Sequence, residues 1–279
     1  MAEGLKGRVA LVTGAARGIG AAIVEALLQS GCKVCIVDIL EAEGNRTCEK
    51  LRTVYTEDCV CFRHADVTKD DSFEEAFQDV TRQWGPITIF VSNAGVLDKK
   101  DYAKTIDVNL VSSVRAANIG LKYMGKDNGG NGGNIIFVAS AAGLFPYGPL
   151  PAYCASKFGV VALARCYASP IYKNSGINFS ALCPGVTDTA MGNTFLEHEA
   201  SQPADLTSVR AFVKEMQDTS TPALIAGGVV QLLKDNHNGA VLLAHIALDD
   251  HYRYLSVDHF SPSAIIRATV PAKASGETQ

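Results

Sequence analysis

The sequence has little charge, no long apolar run and no metal-binding motif, and each shortage excludes a class of protein. Charged residues make up 19% of the 279 residues and the net charge is -4, so nothing favours a nucleic acid or an anionic membrane as partner. No apolar run approaches the roughly 20 residues that span a bilayer. Apolar residues make up 47% of the chain, which is enough for a substantial core.

Targeting signals are also missing from the sequence. It begins without the apolar core and small-residue cleavage site of a signal peptide. Its final residues, A-S-G-E-T-Q, match no retention or lipidation motif. We therefore expect a cytoplasmic protein without a membrane span, in which the eight cysteines are free thiols.

The cysteines and histidines do not have the spacing of a metal site. Cys32 and Cys35 show C-x-x-C spacing, but their segment, G-C-K-V-C-I-V-D, is typical of a strand. Side chains three positions apart in a strand point to opposite faces. The six histidines form no H-E-x-x-H or similar motif, so no metal is predicted.

Short apolar segments alternate with segments of helical period along most of the chain. Strands are expected at 8–13, 33–38, 59–66, 87–93, 134–140, 177–184 and 240–245. Helices are expected at 21–30, 41–53, 72–84, 101–124, 152–169 and 222–234. This alternation predicts an α/β domain with a doubly wound parallel sheet of about seven strands flanked by helices. We place this single domain at residues 1–250, followed by a partly ordered C-terminal extension at 251–279; residues 190–220 show no clear period.

A glycine-rich turn follows the first expected strand. In T-G-A-A-R-G-I-G the glycines are Gly14, Gly18 and Gly20, and a helical segment comes next. A turn of this kind between a strand and a helix lets backbone N–H groups approach a pyrophosphate at the helix N-terminus. The turn therefore predicts a dinucleotide site.

Asp38 ends the second strand, eighteen residues after Gly20. A carboxylate there accepts hydrogen bonds from the adenosine ribose hydroxyls and repels a 2'-phosphate, so it favours NAD over NADP. Arg17 argues the other way, because a base in the turn could reach that phosphate. We give Asp38 the greater weight.

The segment Y-C-A-S-K places Tyr153 and Lys157 four positions apart, on one face of an expected helix. A free phenol has a pKa near 10 and is a poor base at neutral pH, whereas a nearby cation lowers that pKa. Tyr153 could then act as general acid and base beside Lys157. Ser140, at the end of the fifth strand, could hydrogen-bond and orient the substrate oxygen.

Several motifs in order and in register resemble the short-chain dehydrogenase/reductase family. They are the glycine turn, A-D-V at 65–67, S-N-A-G at 92–95, Asn109, Ser140, Y-C-A-S-K at 153–157 and P-G-V-T-D-T at 184–189. The resemblance implies a single-domain Rossmann fold, a homodimer or homotetramer, and an NAD-dependent alcohol dehydrogenase or reductase. It also implies four catalytic residues: Asn109, Ser140, Tyr153 and Lys157. Asn109 would hold a backbone bend and a water that passes protons to Lys157.

The same resemblance implies the cofactor contacts. They fall on Gly14, Arg17, Gly18, Ile19, Gly20, Asp38, Ile39, Asp66, Val67, Asn93, Ala94, Gly95, Tyr153, Lys157, Pro184, Gly185, Thr187 and Thr189. Asp66 and Val67 would lie near the adenine, and Thr187 to Thr189 near the nicotinamide.

The loop before Tyr153 and the 190–215 segment are expected to line the substrate pocket. The predicted substrate-binding residues are Ser140, Phe145, Tyr147, Leu150, Tyr153 and Met191. Their mainly apolar character favours an apolar alcohol or ketone, such as a lipid, terpenoid or polyketide-like molecule. In one branch of the family a substrate-contacting glutamine lies three positions before the tyrosine, where this chain has Leu150.

Two alternatives stay open at this point. Arg17 and Leu150 are compatible with an NADPH-dependent ketone or imine reductase, or a cyclase of a biosynthetic pathway, on the same fold. A non-catalytic binding protein is the third possibility, since a fold alone does not establish a function.

Overall fold

Eight strands form one sheet in the computed structural model, which describes residues 4–200 and 218–255. The strands are β1 Val9–Thr13, β2 Lys33–Asp38, β3 Val60–His64, β4 Ile87–Ser92, β5 Gly133–Val138, β6 Ile177–Pro184, β7 Val241–Ala244 and β8 Tyr252–Tyr254. The helices of the described residues are α1 Gly18–Gln29, α2 Glu41–Tyr55, α3 Asp70–Trp84, α4 Tyr102–Ile106, α5 Ser112–Met124, α6 Pro151–Tyr167, α7 Ala190–Ala200 and α8 Pro222–Asp235.

The strand order is β3-β2-β1-β4-β5-β6-β7-β8. The first seven strands pair in parallel, and β8 pairs antiparallel with β7. The chain winds outward from β1 to β3, then returns and winds outward again from β4. This confirms the doubly wound sheet, and the order reverses between β1 and β4. In such sheets the ligand crevice lies at the carboxyl ends of the strands beside that reversal.

The central strands are buried because helices cover both faces of the sheet. Leu11 and Phe90 belong to one apolar cluster, with α3, α5 and α6 packed over it. Val12 and Ile89 belong to a second cluster on the opposite face, under α1, α2 and α8. Continuous apolar runs in the sequence follow directly from this two-sided burial. None of the helices in residues 4–200 and 218–255 is long and apolar enough to cross a membrane.

The sheet has eight strands rather than about seven. The additional strand, β8, comprises only three residues and lies past the predicted domain boundary at residue 250. Tyr252 pairs with Ala244 of β7, and its hydroxyl donates to the carbonyl of Leu224 at 2.6 Å. Residues 256–279, most of the predicted extension, lie outside the described residues.

The long helix expected at 101–124 is interrupted. A π-helical turn at Asp107–Val111 separates α4 from α5. Apolar periodicity did not reveal this turn because the flanking helices keep their own period. The aperiodic 190–220 segment begins with α7, and residues 201–217 lie outside the described part of the chain.

The start of β5 demands a glycine. Gly133 has φ of +135°, and a Cβ there would lie 2.1 Å from the carbonyl oxygen of Thr88. We expect Gly133→Ala to lower the free energy of unfolding by about 3 kcal/mol or more, because both the backbone and the packing are strained.

Gly129→Ala is the matched control. Gly129 also has a positive φ, of +85°, but no atom lies within 4 Å of an added Cβ. That variant should lose only about 1 kcal/mol. Urea denaturation of both variants measures the difference, and equal losses would contradict the packing argument.

Candidate active site

A cavity of about 1210 Å³ opens at the carboxyl ends of the strands. Every predicted cofactor-binding residue lines it, from the glycine turn after β1 to the segment after β6. Ser140, Tyr153 and Lys157 line the same cavity. The structure therefore brings the predicted dinucleotide and catalytic residues together in one place.

The glycine turn is packed against the end of β4, with no room for a side chain at Gly14 or Gly20. A Cβ on Gly14, whose φ is +62°, would lie 2.6 Å from the Cα of Ala94. A Cβ on Gly20 would lie 2.3 Å from the carbonyl oxygen of Gly14. The two glycines are thus required for the close approach of the turn to β4 and of α1 to the turn.

The N-terminus of α1 faces this cavity without a protein cap. Its N-cap residue, Arg17, is extended and makes no side-chain capping hydrogen bond, and the first turn of α1 contains no acidic residue. The first N–H groups of a helix have no acceptor within the helix, and they carry partial positive charge. The glycine turn and the uncapped N-terminus of α1 therefore suit the pyrophosphate of a dinucleotide.

Asp38 is fixed in position by two backbone N–H groups, one from the turn after β1 and one from the segment after β2. Its carboxylate accepts from the N–H of Ala16 at 2.9 Å and from the N–H of Leu40 at 3.0 Å. Each oxygen keeps a lone pair for another donor. The residue is 8% exposed and lines the cavity, where a ribose hydroxyl could reach it.

Asn93 stabilises the glycine turn itself. Its side-chain amide donates to the carbonyl oxygens of Thr13 at 2.9 Å and Gly14 at 3.0 Å. The Thr13 hydroxyl in turn accepts from the N–H groups of Asn93 and Ala94. Sequence patterns did not assign Thr13 this role, because a strand-end threonine carries no signal of the strand that it contacts.

Asp66 lines the cavity shortly after the end of β3. Its carboxylate accepts from both the N–H and the hydroxyl of Thr68, at 2.9 and 2.8 Å. Burial raises the pKa of the Asp66 carboxyl, but the two hydrogen bonds together with the charges of Lys69 and Arg115 outweigh this and hold that pKa below its ordinary value. Val67, which follows it, also lines the cavity.

Lys157 is a buried cation without a carboxylate partner in the described residues. The ammonium donates to the carbonyl oxygen of Val138 at 2.9 Å and lies 5.8 Å from the ring centroid of Tyr153. Burial lowers the pKa of Lys157 from 10.5 to about 8. At neutral pH the group is therefore mostly charged, and its charge is directed at the phenol face.

The pKa of Tyr153 is raised, not lowered as the sequence-based argument from Lys157 predicted. Burial raises the pKa of the phenol, and the nearby Ser140 hydroxyl only partly offsets this. Desolvation disfavours the charged phenolate, and this effect exceeds the stabilisation from the Ser140 hydrogen bond. Tyr153 is therefore a neutral phenol at neutral pH.

Ser140 begins a short 3₁₀ turn at Ala141–Gly143, directly after β5. Its hydroxyl oxygen accepts from the N–H of Ala142 at 3.1 Å. The same hydroxyl forms a hydrogen bond with the phenol of Tyr153, and both residues line the cavity. Ser140 thus lies where it was expected, at the carboxyl edge of the sheet.

Asn109 lies behind the cavity, within the π-helical turn, and is 1% exposed. Its carbonyl oxygen accepts from the N–H of Val96 at 2.7 Å, and its amide donates to the carbonyl of Val96 and the hydroxyl of Ser156. A Cβ on Gly95 would lie 3.3 Å from the Asn109 side-chain oxygen and 3.5 Å from the Lys157 nitrogen. Asn109 therefore joins the end of β4 to α6, close to Lys157.

Most of the predicted substrate residues line the cavity, but Phe145 does not. Tyr147, Leu150 and Met191 are in the wall, together with Phe195 of α7. Phe145 is 45% exposed and lies outside the lining, because the loop turns its neighbour Tyr147 inward instead. In residues 4–200 and 218–255 no group of three His, Cys, Asp or Glu could hold a metal ion.

The chain belongs to the short-chain dehydrogenase family, whose sequence pattern matches residues 8–200. It is 37% identical to human 15-hydroxyprostaglandin dehydrogenase [NAD(+)] over 254 residues, which cover 89% of this chain and 95% of the relative. It is 26% identical to alcohol dehydrogenase 2 of Ceratitis capitata, covering 87% and 93% of the two chains. The crystal structure of gox2181 superposes with a TM-score of 0.73 at 28% identity, covering 85% of this chain and 94% of that chain. These comparisons confirm three predictions, namely the family, the dehydrogenase class and the Rossmann-type fold.

The lowered pKa of Lys157 makes stability depend on pH in a defined window. Between pH 8 and 10.5 the folded chain binds fewer protons at this group than the unfolded chain, so this contribution to stability rises with pH. Between about pH 7 and about pH 10, we expect the free energy of unfolding of the wild type to gain about 2 kcal/mol relative to Lys157→Met. Urea denaturation at both pH values measures it, with Lys50→Met on the exposed face of α2 as the control. If the difference in free energy of unfolding between the wild type and Lys157→Met were the same at both pH values, the pKa of Lys157 would not be lowered by folding.

Proposed function

We propose that the protein is an NAD(H)-dependent oxidoreductase that interconverts a secondary alcohol and a ketone on a mainly apolar substrate. The observation that carries this proposal is the shared cavity, in which Tyr153, Lys157 and Ser140 stand beside the glycine turn and Asp38. Family membership supports it, as do relatives whose names specify NAD(+) and alcohol dehydrogenases.

Residues of this chain would hold NAD through three features. The turn from Gly14 to Gly20 and the uncapped start of α1 would receive the pyrophosphate. Asp38 would accept the ribose hydroxyls, and its carboxylate would repel a 2'-phosphate. Asp66 and Val67 would flank the adenine.

Tyr153 would move the proton of the reaction. When bound, NAD+ supplies the hydride acceptor and a positive charge beside the phenol. That charge adds to Lys157 and favours phenolate, so Tyr153 can take the alcohol proton. Ser140 would donate to the substrate oxygen and orient it, and Asn109 would hold the β4 end and Lys157 in place.

Apolar side chains would give the substrate pocket its selectivity. The wall beyond Tyr153 contains Leu97, Leu150, Met191 and Phe195. Burial of apolar substrate surface against them would drive binding, as in most small-molecule sites. The pocket therefore favours a lipid, terpenoid or polyketide-like alcohol or ketone.

Other expectations stay proposals. Phe158 of α6 and Val111 before α5 are 40% and 36% exposed, which supports a homodimer or homotetramer packed through these helices. A cytoplasmic location is proposed on the sequence alone. The second candidate function, an NADPH-dependent ketone or imine reductase or a cyclase, draws on Arg17, which is exposed at the glycine turn and lines the cavity.

Cofactor binding decides between these two functions. We expect NADH to bind more tightly than NADPH, and Asp38→Asn to reduce that preference about tenfold or more, because it removes the charge that repels a 2'-phosphate. Calorimetric titration measures both affinities, with Asp58→Asn, outside the cavity, as the control. Tighter binding of NADPH by the wild type would instead favour the biosynthetic reductase or cyclase.

The proton step has its own test. We expect Tyr153→Phe to lower the rate of NADH formation with secondary alcohols by about 10²- to 10⁴-fold, because the proton acceptor is lost. Tyr55→Phe, at the end of α2 and outside the cavity, is the control. NADH binding is measured in parallel to show that the Tyr153 variant is folded. Full activity of Tyr153→Phe would remove this residue from the mechanism.

A further inference from the structure

Tyr147 carries a buried hydroxyl that has no hydrogen-bond partner in the part of the chain that the structure describes. The residue is 3% exposed, and it lines the cavity that contains Tyr153. Buried hydroxyls in native proteins are nearly always paired. An unpaired one in the wall of a binding cavity points to a partner that arrives with the ligand.

The position of Tyr147 is fixed from two sides. Its N–H donates to the sulfur of Cys154 at 3.3 Å, and its carbonyl accepts from the N–H of Leu150 at 3.0 Å. Both contacts tie the tyrosine to the first turn of α6, next to Tyr153. On its other side the ring packs against Phe195 of α7, with centroids 5.3 Å apart.

The surroundings of Tyr147 belong to the substrate side of the cavity. Tyr147, Leu150 and Cys154 form a small apolar cluster, and Leu97, Tyr153 and Phe195 pack against it. None of the glycine-turn residues takes part in this cluster. Of the predicted cofactor-binding residues, only Tyr153 packs against it, and Tyr153 is also a predicted substrate-binding residue.

We propose that Tyr147 recognises a second oxygen of the substrate, distinct from the oxygen that reacts at Tyr153. This inference rests on the proposed function and narrows its substrate class to an apolar alcohol or ketone with one further polar group. Tyr147 is then a specificity-determining residue. Because Phe195 packs against the ring, a ligand that binds the Tyr147 hydroxyl would displace the Phe195 side chain.

The second oxygen is a neutral one. A carboxylate buried in this cluster would have a single phenol donor and aliphatic or aromatic neighbours, and a charge without further partners is strongly disfavoured in such surroundings. A phenol hydroxyl can donate to a ketone or ether oxygen and can also accept from a hydroxyl. The substrate class is therefore a diol, a hydroxyketone or a related molecule with one apolar skeleton.

Matched substrate pairs test this. Each pair consists of a secondary alcohol that carries a second hydroxyl or keto oxygen and an analogue that has a methylene group in place of that second oxygen. The spacing between the reacting alcohol and the second position is varied from pair to pair. At one or more spacings we expect the wild type to prefer the oxygenated member by about tenfold or more in kcat/KM, since a substrate without the second oxygen leaves the Tyr147 hydroxyl unpaired. Tyr147→Phe should bring that ratio close to one.

Tyr252→Phe is the matched control, because the Tyr252 hydroxyl has a partner in the Leu224 carbonyl and lies outside the cavity. It should keep the wild-type ratio. A Tyr147→Phe enzyme that keeps the full preference, or a wild type that prefers the methylene member at every spacing, would overturn the inference while leaving the proposed function intact. Absence of NADH formation with every alcohol would overturn the proposed function, and the inference with it.

Thermal unfolding of the cofactor-free variants adds a readout that is independent of activity. Loss of an unpaired hydroxyl should leave the Tm of Tyr147→Phe equal to or above that of the wild type. Loss of a paired hydroxyl should lower the Tm of Tyr252→Phe. A comparable fall in Tm for Tyr147→Phe would show that its hydroxyl has a structural partner, which would overturn the inference.

Discussion

The parallel pairing of β1 with β4 is the constraint on which the rest of the site depends. Val12 lies opposite Val91, so the two strands end side by side. The hydrogen bonds between Thr13 and Asn93 then hold the glycine turn against the next strand end. Because the chain leaves these two strands toward opposite edges of the sheet, a crevice opens between them and becomes the cavity.

The chemistry that we propose rests on a cation that is buried without a counter-charge among the described residues. Lys157 donates to a backbone carbonyl, and in the described residues no carboxylate pairs with it. No ion pair among those residues therefore reduces the positive electrostatic potential that Lys157 produces at Tyr153. The same burial that preserves this potential lowers the pKa of Lys157 and costs stability at neutral pH, which is a usual trade between stability and function at such sites.

Features encoded by short spacings could be predicted from the sequence, whereas features that depend on distant contacts could not. Positions at strand ends and helical spacing predicted the glycine turn, Asp38, and the pair Tyr153 and Lys157. These residues lie together as expected. The strand β8 was missed because its three residues are defined by pairing with β7, not by their own pattern. The raised pKa of Tyr153 depends on desolvation by the folded chain, which no local spacing reports.

The π-helical turn at Asp107–Val111 makes the length of this helix part of the active site. A π turn contains one residue more than an α-helical turn, and each residue of an α-helix rotates the following side chains by about 100°. Deletion of a single residue here would restore a continuous α-helix and move either Asn109 or the face of α5 out of register with α6. Surface loops generally tolerate insertions and deletions. This helix cannot, so insertions and deletions should be filtered out of the 107–111 segment during divergence even where individual side chains vary.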